Sequence, residues 1–310
     1  MNASGGLNYQ ALYAQRWGQL HHPHVRALAW LLDSPDLLDP AFPDLDWAGK
    51  LADPTAVTPA IAHWLAQLDR DPAPLLAALG ERPFTRLGLY AEKLMAFFYG
   101  AQGRLVAHGL QVRASRNDTV GEFDFLLETG EEGVEHIELA TKFYLLEGEA
   151  PSRFDTLIGP NLADSLGAKM RKIVGKQLAL ADHPAAQAML TRPVTRARAL
   201  VKGWLFYPLA SSPAPMAGIT PDHCRGFWCA LAERGRLDPQ ARWVLLPRLS
   251  WLAPYRVDHG AALEELGGLS EIASPVMVAA LGDDGAGGLI ETERGFIVPD
   301  DWREKASRRV

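Results

Sequence analysis

Three segments of the chain carry a carboxylate where the surrounding residues are mostly apolar. Glu92 lies in RLGLYAEKLMAFFY, Asp124 in EFDFLLE and Glu138 in HIELATKFY. Because taking an unpaired charge out of water is costly, such groups normally face one another, a metal ion or solvent. Carboxylate oxygens are the hard ligands that Mg²⁺ and Mn²⁺ prefer. These three acids are therefore the first candidates for chemistry in this sequence.

The segments around Asp124 and Glu138 alternate in polarity, which predicts two successive β-strands joined by a glycine-containing turn. On the first strand, one face carries Phe123, Phe125 and Leu127, and the opposite face carries Glu122, Asp124 and Leu126. On the second strand, one face carries Glu138, Ala140 and Lys142. Each strand thus directs a carboxylate away from its apolar face, and the second strand adds a lysine on the same side. The alternative is a solvated outer face of a half-exposed hairpin, in which case Glu92 lies far from Asp124.

Glu92 belongs to a predicted helix that covers about residues 86–99 and is apolar on nearly all sides. A helix of this composition is usually buried, so a carboxylate on it requires a partner. One interpretation is a catalytic or metal-binding role. The other is a structural glutamate satisfied by the backbone or by a tyrosine.

A basic stripe follows the two strands, on a predicted helix that opens at GPNLAD with Asn161 as its candidate cap and runs to about Ala181. Lys169, Lys172 and Lys176 are spaced i, i+3 and i+7 along it. Most such stripes are simply solvated faces. Beside an acidic metal site, however, the same stripe could bind the phosphates of a polyanionic backbone.

Taken together, these residues resemble the PD-(D/E)XK nuclease superfamily, which has the restriction-endonuclease-like fold. The resemblance rests on Glu92 in a helix, on GEFD ending at Asp124, and on IELATK with Glu138 and Lys142. A glutamine on the following helix recurs in one branch of the superfamily, and Gln177 is the candidate here. More closely, GPN…D…K…KQL, GWLFYP and HCRGFW resemble a bacterial family of unknown function placed in that superfamily, and this likeness covers most of the chain.

The resemblance implies hydrolysis of phosphodiester bonds in DNA or RNA, with DNA favoured, assisted by Mg²⁺ or Mn²⁺. It assigns the metal to Asp124, Glu138 and the Leu139 carbonyl. It assigns catalysis to Glu92, Asp124, Glu138 and Lys142. Nucleic-acid contacts are assigned to Lys169, Lys172, Lys176 and Gln177.

One position departs from the superfamily pattern. The usual spacing would place the lysine at position 140, which is Ala140 here. The lysine is instead Lys142, about 6–7 Å further along the strand. Both positions face the same side, because a strand repeats its facing every two residues. A noncatalytic nucleic-acid-binding or scaffold protein on a degenerate nuclease fold is therefore the alternative function.

Composition and periodicity predict an α/β protein built around a mixed-sheet, restriction-endonuclease-like core. We expect a helical N-terminal extension over residues 1–80, the core over 81–210 and a mixed α/β C-terminal region over 211–310. The net charge of −6 argues against a protein that coats nucleic acid nonspecifically. No apolar run approaches the ~20 residues that a membrane span requires, and we expect a cytoplasmic protein. Nothing in the sequence identifies a protein partner.

A second candidate site is the segment H-C-x4-C, formed by His223, Cys224 and Cys229. A zinc ion there would need a further ligand from afar, such as His259. Phe227 and Trp228 lie between the cysteines and favour core packing instead, where free cysteine is common.

Overall fold

One mixed β-sheet connects most of the chain. A computed structural model describes residues 8–42, 47, 49–130, 132–148, 154–211 and 214–308. The strands are β1 (Leu105–Ser115), β2 (Asp118–Glu128), β3 (Val134–Leu146), β4 (Leu157–Ile158), β5 (Val194–Pro208), β6 (Cys224–Ala230), β7 (Arg242–Leu245), β8 (Arg256–Asp258), β9 (Val276–Asp283) and β10 (Gly288–Val298). Their order is β1-β2-β3-β5-β6-β10-β9-β7, with β4 beside β3 and β8 beside β10. The pairs β3–β5, β5–β6 and β6–β10 are parallel, and antiparallel strands lie on either side of them.

The helices of the described residues concentrate in the N-terminal part of the chain. They are α1 (Tyr9–Trp17), α2 (Pro23–Asp33), α3 (Pro59–Arg70), α4 (Ala73–Leu79), α5 (Leu87–Ala101), α6 (Leu166–Lys172), α7 (Pro184–Met189) and α8 (Trp302–Ser307). Proline at the first position of α2 and α3 is favourable, because its missing N–H needs no partner there. No helix in the described ranges is both long and apolar enough to cross a bilayer.

The predicted α/β class, with helices at the N-terminus and a mixed α/β C-terminal region, is confirmed. The C-terminal strands extend the same sheet as the core, since Trp204 of β5 is in register with Cys224 of β6. The sheet thus continues across the predicted boundary at residue 210, while the division into three regions stays a prediction. Beyond the boundary, Arg294 of β10 is fully buried and stacks over the Trp204 ring at 4.1 Å.

The two faces of the sheet are covered by different helices. On one face, α5 buries Tyr90, Leu94 and Phe98 in the same core as Phe125 and Ile137 of the hairpin. On the opposite face, α6 buries its apolar side in a separate core. That core contains Ala140, Tyr144, Leu166, Met170 and Ile173. The helix that carries Glu92 and the helix that carries the lysines therefore lie on opposite sides of β3.

The hairpin of β2 and β3 opens at one point along its length. Paired residues run from Glu128 opposite Val134 to Phe125 opposite Ile137, and the pairing ends there. The alternation of side-chain directions along β2 also breaks at this point. Phe125 packs in the α5 core, whereas Phe123 packs edge-on against the His136 ring, with ring centroids 4.8 Å apart. The predicted sharing of one face by Phe123, Phe125 and Leu127 was therefore wrong. Asp124 is the residue at which the alternation breaks.

The basic helix begins later than predicted and is not regular. Its cap is Ser165, whose hydroxyl accepts a hydrogen bond from the Ala168 N–H at 3.2 Å, and not Asn161. After α6 the chain forms a π-helical turn over Ile173–Gln177. Such wide turns are rare and often lie at functional sites.

Candidate active site

Asp124 and Glu138 meet where β2 separates from β3. The backbone N–H of Leu139, which no longer faces a paired β2 residue, donates to Asp124 Oδ2 at 2.9 Å. In a strand, the N–H and carbonyl of one residue point to the same neighbouring strand. The Leu139 carbonyl therefore also faces the gap beside Asp124. Separation of the strands thus brings a carboxylate and a backbone carbonyl to the same place.

Glu138 is almost fully buried, with 2% of its surface exposed, and is held by the basic helix. Gln177 donates from Nε2 to Glu138 Oε1. Lys169 in turn donates from Nζ to Gln177 Oε1 at 3.0 Å. In a regular α-helix, residues eight apart differ by about 80° in direction. The wider π turn takes up about one extra residue, which brings Lys169 and Gln177 onto the same side.

Glu92 approaches the same acids from α5. Burial, together with the negative charges of Asp124, Glu122 and Glu138, raises the pKa of Glu92 to about 7, while the positive charge of Lys169 acts in the opposite direction. These charges act on Glu92 only because the acids lie near one another. The alternative in which Glu92 lies far from Asp124 is therefore wrong.

Burial also raises the pKa of the Asp124 and Glu138 carboxyls. Repulsion from Glu138 raises the pKa of Asp124 further, while the Lys169 ammonium lowers the pKa of both carboxyls. Burial lowers the pKa of Lys169 itself. The pair therefore retains a proton more readily than ordinary carboxylates do.

One residue near the acids was not selected from the sequence, and another was predicted to have a different role. Glu122 is exposed but close enough to raise the pKa of Glu92 and Asp124. The sequence signal for Glu122 is its position two residues before Asp124, which places both side chains on one face of the predicted strand. Lys169 was assigned to nucleic-acid contacts, whereas the structure places it beside the acids, because the π turn is not visible in the residue spacing.

Lys142 points to a different partner. Its ammonium lies 2.8 Å from Asp164 Oδ2, and the Tyr144 hydroxyl donates to the same oxygen at 3.1 Å. Asp164 belongs to the loop that precedes α6. The lysine predicted to be catalytic is thus engaged by this loop, while Lys169 is linked to Glu138 through Gln177.

The predicted basic stripe is divided by burial. Lys169 is half-buried at the acids, whereas Lys172 and Lys176 are exposed on the outer side of the same segment. Arg171 is held by Asp155 at 2.9 Å. Only the outer lysines therefore present a free surface for phosphates.

The cysteine segment is a packed part of the core. Cys224 and Cys229 are both buried free thiols. The His223 ring is also occupied, since Nδ1 lies 2.6 Å from the Thr220 carbonyl and Nε2 lies 2.7 Å from the Tyr207 hydroxyl. This arrangement agrees with core packing rather than with a zinc site.

Within the described ranges, no three His, Cys, Asp or Glu side chains form a group arranged to hold a metal ion. Mg²⁺, however, usually keeps several waters and takes only one or two carboxylates from the protein. Asp124 and Glu138 provide two carboxylates, and the Leu139 carbonyl lies beside them. The donor set therefore fits a hard divalent cation.

Comparison with known protein families gives a match over most of the chain. The sequence model of a domain of unknown function, DUF1853, matches residues 26–298. No curated protein and no solved structure matches the chain significantly.

Proposed function

Since the chain belongs to the DUF1853 family, a domain family of unknown function, we propose its function from the site: a divalent-metal-dependent nuclease that hydrolyses phosphodiester bonds. We further propose that its core is that of the PD-(D/E)XK superfamily. Elements α5, β1–β3, α6 and β5 follow one another in the order helix, three strands, helix and strand, with the short β4 and α7 between them. Glu92 lies in α5, Asp124 in β2 and Glu138 in β3, while Gln177 ends the π-helical turn after α6.

One observation carries the proposal. Asp124 and Glu138 come together at the residue where two strands separate, and Glu92 approaches them from a helix on the opposite face of β3. Three carboxylates that lie close together and are partly shielded from water repel one another, so they are unfavourable without a positive charge beside them. Such clusters are typical of sites that bind a cation.

Mg²⁺ or Mn²⁺ would be held by Asp124, Glu138 and the Leu139 carbonyl, and it would supply Lewis acidity for hydrolysis of a phosphodiester. Glu92, which retains a proton near neutral pH, would hydrogen bond to water at the edge of the site. The exposed Lys172 and Lys176 would contact phosphates of the bound strand and position it.

Among the lysines, we assign stabilisation of the developing negative charge to Lys169 rather than to Lys142. Lys169 is linked to Glu138 through Gln177, whereas Lys142 is paired with Asp164. A fixed ammonium beside the reacting phosphate stabilises charge that develops in the transition state. The displaced position of Lys142 is then compatible with activity.

The proposal is tested by incubating the protein with labelled single- and double-stranded DNA and RNA in Mg²⁺ or Mn²⁺. We expect wild type to cleave at least one substrate, EDTA to abolish cleavage, and Asp124→Asn to remove it. Asp222→Asn, which changes an exposed aspartate, is the matched control and should cleave normally. Equal cleavage by wild type and Asp124→Asn would refute the assignment.

A noncatalytic nucleic-acid-binding or scaffold protein is the second candidate. The pairing of Lys142 with Asp164 favours it, because the superfamily pattern assigns catalysis to this lysine. The hydrogen bond from Gln177 to Glu138 also favours it, because it engages an oxygen of a proposed metal ligand. This candidate predicts that labelled DNA is bound but not cleaved. It also predicts that Asp124→Asn binds DNA as wild type does.

A further inference from the structure

His136 is a buried polar residue without a hydrogen-bond partner. It is 0% exposed, and both ring nitrogens lack a partner among the described residues. Buried polar groups are normally hydrogen bonded, so an exception requires an explanation. Its ring packs against Phe123, but a phenylalanine ring offers the nitrogens no acceptor of ordinary strength.

The polar group that His136 faces is Glu138. Both side chains lie on the same face of β3, two residues apart. His136 Nε2 is 3.7 Å from Glu138 Oε2, and this oxygen is itself buried without a hydrogen-bond partner. The distance is just beyond hydrogen-bond range. A small rotation of the carboxylate would complete a bond between these two atoms and give each of them a partner.

The two oxygens of Glu138 thus face different surroundings. Oε1 accepts from Gln177 and faces the acids and Lys169, whereas Oε2 faces His136 in the interior. A histidine without solvent contact favours its neutral form, which carries one N–H. Donation of that N–H to Oε2 would fix the orientation of the carboxylate and leave Oε1 for the site.

We propose that His136 is a positioning residue, which orients Glu138 for cation binding by donating its Nε2–H to Oε2. This inference rests on the proposed metal site and adds a residue that acts on it through Glu138. Hydrogen-bond partners of metal-binding side chains typically change metal affinity by about 10- to 100-fold when removed.

The test is calorimetric titration of the whole chain with Mn²⁺. His136→Leu removes the donor, and we expect Mn²⁺ affinity to fall by about 10- to 100-fold. His136→Gln places an amide N–H near the position of Nε2, so it should restore most of the affinity. His223→Leu is the matched control, because it alters another buried histidine that lies outside the acids and should leave Mn²⁺ affinity unchanged.

Melting temperatures of all variants are measured alongside, since a merely structural role would change stability without changing Mn²⁺ affinity. If His136→Leu does not fold, His136→Asn replaces it, because its shorter amide cannot reach Oε2. Unchanged affinity in the donor-deleted variant overturns the inference. Equal weakening in that variant and in His136→Gln also overturns it, since packing would then be the cause. Mn²⁺ binding that is absent from wild type, or that survives Asp124→Asn, refutes the proposed function and this inference with it.

Discussion

Replacing Glu92 by glutamine should make the protein more stable at alkaline pH. The substitution removes the charge but keeps the size of the side chain. Burial and, to a smaller extent, repulsion from neighbouring acids raise the pKa of Glu92 from its ordinary value of 4.5 to about 7. Ionised Glu92 is therefore unfavourable in the folded protein.

The sign follows from proton binding. Because the pKa is higher in the folded than in the unfolded state, the folded protein binds more protons between about pH 4.5 and 7. Stability therefore falls as pH rises through this window, and above it the full penalty applies. One pKa unit corresponds to about 1.4 kcal/mol, so the rise from 4.5 to about 7 gives an upper bound of about 3.5 kcal/mol. Since Glu92 is only half-buried and solvent screens it, we expect about 1–2 kcal/mol.

The assay is urea denaturation in EDTA at pH 4.5 and pH 8, which keeps cations from offsetting the repulsion. Glu92→Gln should exceed wild type in unfolding free energy by about 1–2 kcal/mol more at pH 8 than at pH 4.5. Glu81→Gln, which alters an exposed glutamate, should show no such difference. If the unfolding free energies of Glu92→Gln and wild type depended on pH in the same way, the inference that the other acids lie close to Glu92 would be refuted.

Three further outcomes are expected. Lys169→Met should lower the cleavage rate by about 10²-fold or more, and Lys142→Met should lower it less, as measured in single-turnover assays. Each of Lys172→Ala and Lys176→Ala should reduce the slope of log affinity for duplex DNA against log salt by about 0.9, measured by fluorescence anisotropy. Lys202→Met should lower the unfolding free energy by about 3–5 kcal/mol in urea denaturation, because Lys202 is 1% exposed and its loss leaves a carboxylate without its partner.

Much of the architecture follows from local periodicity. The apolar composition of residues 86–99 predicts α5, and the alternation in polarity around Asp124 and Glu138 predicts the adjacent strands β2 and β3. The continuation of the sheet into the C-terminal region does not follow, because parallel pairing of β5 with β6 joins residues that no local pattern connects.

The sequence singles out the acids that lie near one another in the structure, but not the contacts of the lysines. Glu92, Asp124 and Glu138 could be selected because a carboxylate in an apolar segment is conspicuous in one dimension. The partner of Lys142 could not be predicted, because Asp164 lies in a loop whose path depends on tertiary structure. The role of Lys169 depends on the π turn, which spacing at 3.6 residues per turn does not reveal.

Mn²⁺ titration by calorimetry, with wild type and Asp124→Asn in parallel, tests the central claim most directly. We expect wild type to bind Mn²⁺ with an affinity that increases as pH rises. The pKa values of Asp124 and Glu138 are raised, and these carboxyls must release their protons before they can bind the ion. Asp124→Asn should lose this binding while remaining folded. Equal Mn²⁺ binding by the two proteins, or none by wild type, would contradict the account.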